Sequence, residues 1–481
     1  MFGPHRRKKP WKAEDVTVTE PKEIKRAINA AAIGNVTEWY DFGVYGYLAV
    51  VIEGIFLPKD SGLVGHIIVA GLFAVAFLVR PFGGLFFGPL ADKIGRNKVL
   101  AITMIMMAAG TFMIGVLPDY ATVGMLAPFL LLACRLVQGF STGGEYSNAM
   151  TFISEYAPDR RRGFFGSLLE VGTFGGYVMG ATMATVMQAV SSEDFLYTWG
   201  WRIPFFVALP LGLVGVYLRS KLGDTPAFEA QEKAEAAQQN AGQPAKQENA
   251  YKEIFKLWPN LLVGGGLVAA WNIANYMVTA FMPSYFPMVA EIEGKAGISN
   301  MSSQILLIIV MAVCLVLIPV FGHASDRFGR KAVIRTGAIG MIVLSIPAVI
   351  LVRGSNDIVV LIGLLIMGLS LICFSATIPS TLPSLFPTKL RGGASAISFN
   401  VSISLLGGTT SVVMTSLIGA TGFLMWPAIY LMAAGVLGLV SVHFTPESNG
   451  KPLWGSTPSA TSPEEAEEVV AELNKELEPA R

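Results

Sequence analysis

The sequence predicts an all-α membrane protein with twelve transmembrane helices in two six-helix bundles. Three observations predict it: apolar residues delivered in long runs, Lys and Arg sorted to alternate loops, and a loop motif that recurs in both halves. Hydrophobic residues make up 53% of the 481-residue chain and charged residues 14%, against about a quarter charged in an ordinary soluble protein. Gly (51) and Phe (29) are both abundant, as suits helices that pack closely in lipid. Residues 62–89 hold one strongly charged side chain, Arg80, and residues 258–290 hold none. A span needs about 20 apolar residues to cross about 30 Å of hydrocarbon, and a soluble core has no use for such runs.

On this reading the first six spans are 27–57, 64–91, 98–117, 122–153, 163–190 and 202–220. The other six are 256–287, 301–324, 333–352, 357–386, 393–420 and 423–444. The chain then divides into a tail (1–26), a first bundle (27–220), a linker (221–255), a second bundle (256–444) and a tail (445–481). The linker is rich in Ala, Gln and Glu and has no hydrophobic face, so it reads as a soluble connector.

Orientation follows from Lys and Arg. One set of loops carries Lys93, Arg96 and Lys98, then Arg160, Arg161 and Arg162, then Arg327, Arg330 and Lys331, then Lys389 and Arg391. The opposite set holds little beyond Lys59, Arg202, Lys295 and Arg353. The positive-inside rule therefore puts both termini and the linker in the cytoplasm, with the protein in the cell (inner or plasma) membrane among its lipids. Arg6, Arg7, Lys8 and Lys9 make the N-terminus too polar for a cleaved signal peptide. The net charge of +1 is not pooled into a basic surface, so no nucleic-acid partner is expected. Cys134, Cys314 and Cys373 each stand alone in apolar stretches and read as packing residues, with no metal or disulfide role.

The repeat supports two related halves. Gly88-Pro-Leu-Ala-Asp-Lys-Ile-Gly-Arg-Asn-Lys98 follows the second span and Gly322-His-Ala-Ser-Asp-Arg-Phe-Gly-Arg-Lys331 follows the eighth. Pro158-Asp-Arg-Arg-Arg-Gly163 has a weaker echo in Pro387-Thr-Lys-Leu-Arg-Gly392. This loop resembles the signature of the major facilitator superfamily. More narrowly, the chain is similar to the metabolite:proton symporter branch, especially its proline/glycine-betaine (osmoprotectant) transporters. Gly34-Asn-Val-Thr-Glu-Trp-Tyr-Asp-Phe-Gly-Val-Tyr-Gly46, Val79-Arg-Pro-Phe-Gly-Gly-Leu-Phe-Phe-Gly88 and Gln138-Gly-Phe-Ser-Thr-Gly-Gly-Glu-Tyr146 carry that similarity. Trp199-Gly-Trp-Arg-Ile-Pro-Phe-Phe206, Thr225-Pro-Ala-Phe228 and Met282-Pro-Ser-Tyr285 extend it.

The resemblance implies the major facilitator fold and secondary active transport by alternating access, with a proton as coupling ion and no other cofactor. It also implies that Asp92, Arg96, Asp326 and Arg330 gate by latching the two bundles together. Asp92 is placed to face the positive N-terminal end of a neighbouring helix. The blander reading of these loops is a tight turn with orientation charges.

Charges inside the spans carry more information, because a mid-span ion costs about 2.5–3.5 kcal/mol on insertion scales unless it has a partner or a wet cavity. Glu38 and Asp41 fall in span one, Arg80 in span two, Arg135 and Glu145 in span four, and Glu170 in span five. Glu38, Asp41 and Tyr45 share a helical face, as do Arg135, Gln138, Thr142 and Glu145. An Asp on span one facing an Arg on span four resembles the coupling pair of proton-driven superfamily members. Asp41 with Arg135 is therefore the leading proton-coupling candidate, joined by Glu38, Glu145 and Glu170; the alternative is a static buried ion pair. Arg80 reads either as a cavity charge or as a structural partner of one of these carboxylates. His66, His323 and His443 fall near span ends and His5 in a tail, so the relay is expected to use carboxylates.

Deep anions outnumber deep cations, which favours a small zwitterion such as proline or glycine betaine over a dicarboxylate. Trp39, Tyr45, Trp271 and Tyr276 offer ring faces, with Arg80, Asn272 and Asn275 as polar groups of the expected substrate site. Aromatic stripes in membrane helices also serve plain packing. The competing readings are symport of a metabolic carboxylate (2-oxoglutarate or shikimate) and a non-transporting membrane sensor. No nucleophile–base set or metal cluster suggests an enzyme. Osmosensory relatives carry a C-terminal coiled coil, whereas Val469, Val470, Leu473 and Leu477 make a stripe too short for one.

Overall fold

The computed structural model describes residues 10–58, 62–94, 96–220, 250–294 and 297–475. Across these residues the helices form twelve columns in two halves. Among the described residues, eight columns are long and apolar enough to cross a membrane on length and composition alone, and Glu193–Gly200 with Arg202–Tyr217 makes one span bent by 43°. The weaker columns all belong to the first half. Span one carries buried charges, span five is rich in Gly and Thr, and the apolar part of span three is confined to Ala101–Val116. Outward-facing Phe82, Leu262, Val316 and Ile358 form part of an apolar belt, the surface that only lipid satisfies.

Span one runs as Pro21–Tyr47 and Ala49–Phe56, starting earlier than the expected residue 27. Pro21 sits at its first turn, where a missing N–H is harmless. Span five is one helix, Arg162–Val190. Gly172, Gly176 and Gly180 recur every four residues along it. A Cβ there would meet the carbonyl oxygens of Ala32, Val36 and Tyr40 at 2.5, 2.3 and 2.3 Å. Spans one and five thus touch backbone to backbone, as small-residue repeats allow. Span five also lies along span eight, Asn300–Phe328, and so joins the halves.

Several spans are interrupted, each for a local reason. Span two breaks at Val79 between Gly62–Leu78 and Arg80–Ile94, just ahead of Pro81. Span four breaks at Gly143 and Gly144 between Leu126–Thr142 and Glu145–Tyr156. Span seven (Trp258–Tyr276, Met282–Glu293) and span eleven (Arg391–Ser402, Thr410–Thr421) are joined through wider turns at Met277–Phe281 and Ile403–Gly407. Such turns often mark functional positions in helices. The remaining columns are Arg96–Val116, Arg202–Ser220, Arg330–Val352, Asp357–Ser375 and Trp426–Phe444.

Two expectations about the tails and linker change. Residues 221–249 of the linker lie outside the described set, and Ala250–Lys256 is already helical before span seven. The two tails are not separate: Thr17–Val18 pairs in parallel with Ser459–Ala460. Helix Pro463–Lys475 closes over that pair, burying Ala466 beside Val16 and Ala460 with Val470 packed against them, and burying Val469 as well. Asn474 and Trp11 exchange bonds of 2.8 and 2.9 Å. Arg160 reaches Glu468 and Glu472 at 2.6 and 3.0 Å, and the Ser459 amide donates to Asp159 at 3.1 Å. The short apolar stripe thus has a use within the chain, packing on the N-terminal tail; Leu477 lies outside the described residues.

Candidate functional site

Glu38, Asp41, Arg80, Arg135, Glu145 and Glu170 are all buried within the spans of the first half and make up its central layer. Asp41 and Tyr45 are one turn apart on span one, so both reach toward span four. Asp41 Oδ2 lies 3.1 Å from Arg135 Nη1, with both side chains at most 1% exposed. The same Arg135 nitrogen donates to Gln138 Oε1 at 3.1 Å, and Gln138 Nε2 donates to Thr111 on span three at 2.8 Å. The Tyr45 ring centroid lies 3.4 Å from the Arg135 guanidinium carbon. A buried pair is tolerated only with this kind of support. Tyr45, expected to face a bound molecule, packs on the Asp41–Arg135 pair and donates to Val69 O at 3.3 Å.

Arg80 resolves as the partner of Glu38, at 2.9 Å with both side chains fully buried. Its guanidinium carbon sits 4.6 Å from the Phe77 ring and 5.1 Å from the Phe42 ring. Around this pair the two halves meet through aromatic rings. Tyr276 of span seven lies 4.9 Å from Phe77 and 6.2 Å from Trp39, and Tyr177 of span five lies 6.2 Å from Trp39. Trp39 Nε1, Tyr276 Oη, and Arg80 Nε and Nη1 are buried with no hydrogen-bond partner among the described residues. Unsatisfied buried donors carry a desolvation penalty of about 1–3 kcal/mol each, so this wall is suited to a polar guest with an acceptor group.

Glu170, two turns into span five, makes no ion pair among the described residues. It accepts hydrogen bonds from the Tyr146 hydroxyl and, at 3.0 Å, from Thr173, which also receives Asn35 Nδ2 at 2.5 Å. The Tyr146 ring stacks on Phe399 of span eleven at 4.6 Å and lies 6.0 Å from Trp271. Trp271 Nε1 donates to Ser375 at 2.8 Å. A first-half carboxylate therefore touches the second half through a single tyrosine. Glu145 is buried at the first turn of its helix segment. Asn272 donates to Val268 O of its own helix at 3.0 Å, and Asn275 is buried nearby.

At the end of the bundle that carries the termini, Asp326 accepts from the Gly163 and Phe164 amides, both at 2.7 Å. It thereby caps the N-terminus of span five, where backbone donors and the helix dipole favour an anion. Arg330 lies 3.8 Å from Asp326 and donates to Ser448 O and Oγ at 3.0 and 2.6 Å. The side chains of Asp92 and Arg96, named from the first-half loop, lie outside the described set. Arg391 of the second half pairs with Glu155 of the first at 3.0 Å.

Sequence reasoning missed Phe77, Tyr146, Tyr177 and Phe399. The spacing of Phe73, Phe77 and Arg80 was a usable signal, since these positions share a helical face. Tyr177 and Phe399 gave none, because their importance comes from contacts between spans far apart in sequence.

The chain matches the family model described as "Sugar (and other) transporter" over residues 27–459. It is 42% identical to the "Proline/betaine transporter" of Salmonella typhimurium over 472 residues, 98% of this chain and 93% of that protein. It is likewise 42% identical over 476 residues to the "Glycine betaine/proline/ectoine/pipecolic acid transporter OusA" of Dickeya dadantii, with 98% and 93% covered. Its fold superimposes on the proton:xylose symporter XylE bound to 6-bromo-6-deoxy-D-glucose with a TM-score of 0.73. That match is 17% identical and covers 91% of this chain and 99% of XylE.

Proposed function

The chain belongs to the sugar (and other) transporter family of the major facilitator superfamily, and on that premise we propose that it is a secondary active transporter for a small zwitterion. The cargo is proline, glycine betaine or a close relative, carried with protons across the cell membrane. The Lys and Arg sorting puts both termini and the linker in the cytoplasm.

One observation carries the substrate reading. The aromatic wall of Trp39, Phe77, Tyr177 and Tyr276 adjoins buried, unsatisfied donors on Trp39, Tyr276 and Arg80. Ring faces attract an ammonium, by about 0.5–2 kcal/mol each, while the donors suit a single carboxylate. Arg80 and Arg135 are each already paired with an acid. Among the described residues the layer therefore offers no surplus cation to a di- or tricarboxylate.

Coupling is assigned to Asp41 and Arg135. A proton arriving on Asp41 removes the Coulomb attraction that holds Arg135, and Gln138 and Tyr45 then retain the guanidinium. Glu170, held by neutral donors alone among the described residues, is a second place for a proton. Asp326 and Arg330 latch the terminus-bearing end while the site is closed. The test is uptake into proteoliposomes of proline, betaine, 2-oxoglutarate and shikimate, with and without an imposed proton gradient. Gradient-driven uptake of a zwitterion supports the assignment; uptake of a carboxylate alone refutes it.

A further inference from the structure

Among the prolines in the spans that deprive a carbonyl four residues earlier of its helical N–H donor, three free a carbonyl that meets the opposite half. Pro81 frees that of Phe77, Pro283 that of Thr279 and Pro383 that of Pro379. A carbonyl left this way inside a membrane must find another donor. In each case the donor is a hydroxyl from the opposite half of the molecule. Ser404 on span eleven donates to Phe77 O at 2.5 Å. Tyr177 on span five donates to Thr279 O at 3.1 Å. Ser154 on span four donates to Pro379 O at 3.0 Å. All three hydroxyl residues are buried.

We infer that these proline-made acceptors are the catches that hold the two bundles closed around the central layer. The inference rests on the alternating-access reading and adds the residues that set its equilibrium. A proline here converts an intrahelical bond, indifferent to the position of the other bundle, into a bond between bundles that exists only when they meet. When the halves part, the freed carbonyl faces the water that enters between them, so separation trades one partner for another. The catches are spread along the pathway. Ser154 lies next to Glu155, whose pair with Arg391 marks the terminus-bearing end. Tyr177 and Ser404 act at the level of Trp39 and Phe77.

Removing a catch hydroxyl leaves a buried carbonyl unsatisfied in the closed state alone. Such a loss shifts the open-to-closed ratio by about 5- to 30-fold. Restoring the N–H by replacing the proline returns the carbonyl to its own helix and makes the hydroxyl dispensable. This dependence of one substitution on the other separates a catch from an ordinary packing hydroxyl.

The test uses the full chain in lipid nanodiscs, with Cys134, Cys314 and Cys373 replaced and spin labels attached through Arg161→Cys and Lys389→Cys. Inter-label distance distributions give the open fraction for the parent, Ser154→Ala, Pro383→Ala and the double variant. Ser154→Thr, which keeps the hydroxyl, serves as the folding control. The expected result is a 5- to 30-fold gain in the open-to-closed ratio for Ser154→Ala, and a less than twofold further change when Ser154→Ala is added to Pro383→Ala. An equal shift from Ser154→Ala in both backgrounds, or no shift in either, overturns the inference. No cargo is needed for this measurement, so a wrong substrate assignment leaves its outcome intact, and failure of the cycle leaves the transport reading standing.

Discussion

Replacing Asp41 with Asn removes one charge from the central layer while keeping the side-chain volume. Arg135 is then a cation with no counter-charge at a position fully sealed from solvent. Breaking a buried pair by removing one partner destabilises by about 3–5 kcal/mol. Two contacts offset part of that: the Gln138 bond at 3.1 Å and the Tyr45 ring 3.4 Å from the guanidinium carbon, the latter worth about 0.5–2 kcal/mol. The net loss expected for Asp41→Asn is therefore about 1–4.5 kcal/mol. Adding Arg135→Gln should restore most of it, because two neutral amides replace an orphaned ion. Function should behave differently. Both the single and the double variant should lose accumulation driven by a proton gradient, while retaining counterflow exchange of labelled for unlabelled cargo. Thermal unfolding of the purified protein reads the first effect and proteoliposome uptake the second. If Asp41→Asn concentrates cargo as the parent does, the coupling assignment is wrong whatever happens to stability.

The other expectations follow from the same geometry. Trp39→Leu and Tyr276→Leu should each weaken glycine betaine binding by about 0.5–2 kcal/mol, up to some thirtyfold in Kd, and weaken proline less; equal losses for both would remove the aromatic-face argument. Asp326→Ala strips two backbone donors of span five of their acceptor. It should raise thiol labelling at the terminus-bearing end, and unchanged labelling would deny the latch. Epitope tags near residue 239 and at the C-terminus should report the cytoplasm and one at Glu293 the outside; external access to the linker would overturn the orientation.

Much of this was legible in the sequence because lipid enforces strict rules. Long apolar runs joined by loops with sorted Lys and Arg suit a polytopic membrane protein and hardly any soluble one. The pairing of Asp41 with Arg135 was legible too, since two lone charges in apolar spans need each other. Arg80 was ambiguous for the opposite reason: helical spacing gives its face, but not which acid on a neighbouring span lies across from it. Tyr45 was ambiguous too, because an aromatic one turn from an acid reads equally well as a cap on its partner or as a wall of a cavity. The tail clasp was hidden because its strand pair is two residues long, too short for any periodicity, and its partners lie more than 400 positions apart. The glycine repeat of span five was visible as spacing, yet only the backbone of span one showed what it serves.

A proton gradient is expected to drive a zwitterion through this layer. The most direct test is the initial rate of glycine betaine and proline uptake into proteoliposomes holding the purified chain, at fixed membrane potential, with and without an inward proton gradient. Concentrative uptake is expected only with the gradient, abolished by a protonophore and by Asp41→Asn. Uptake indifferent to the gradient, or a dicarboxylate accumulated while neither zwitterion enters, would contradict that expectation.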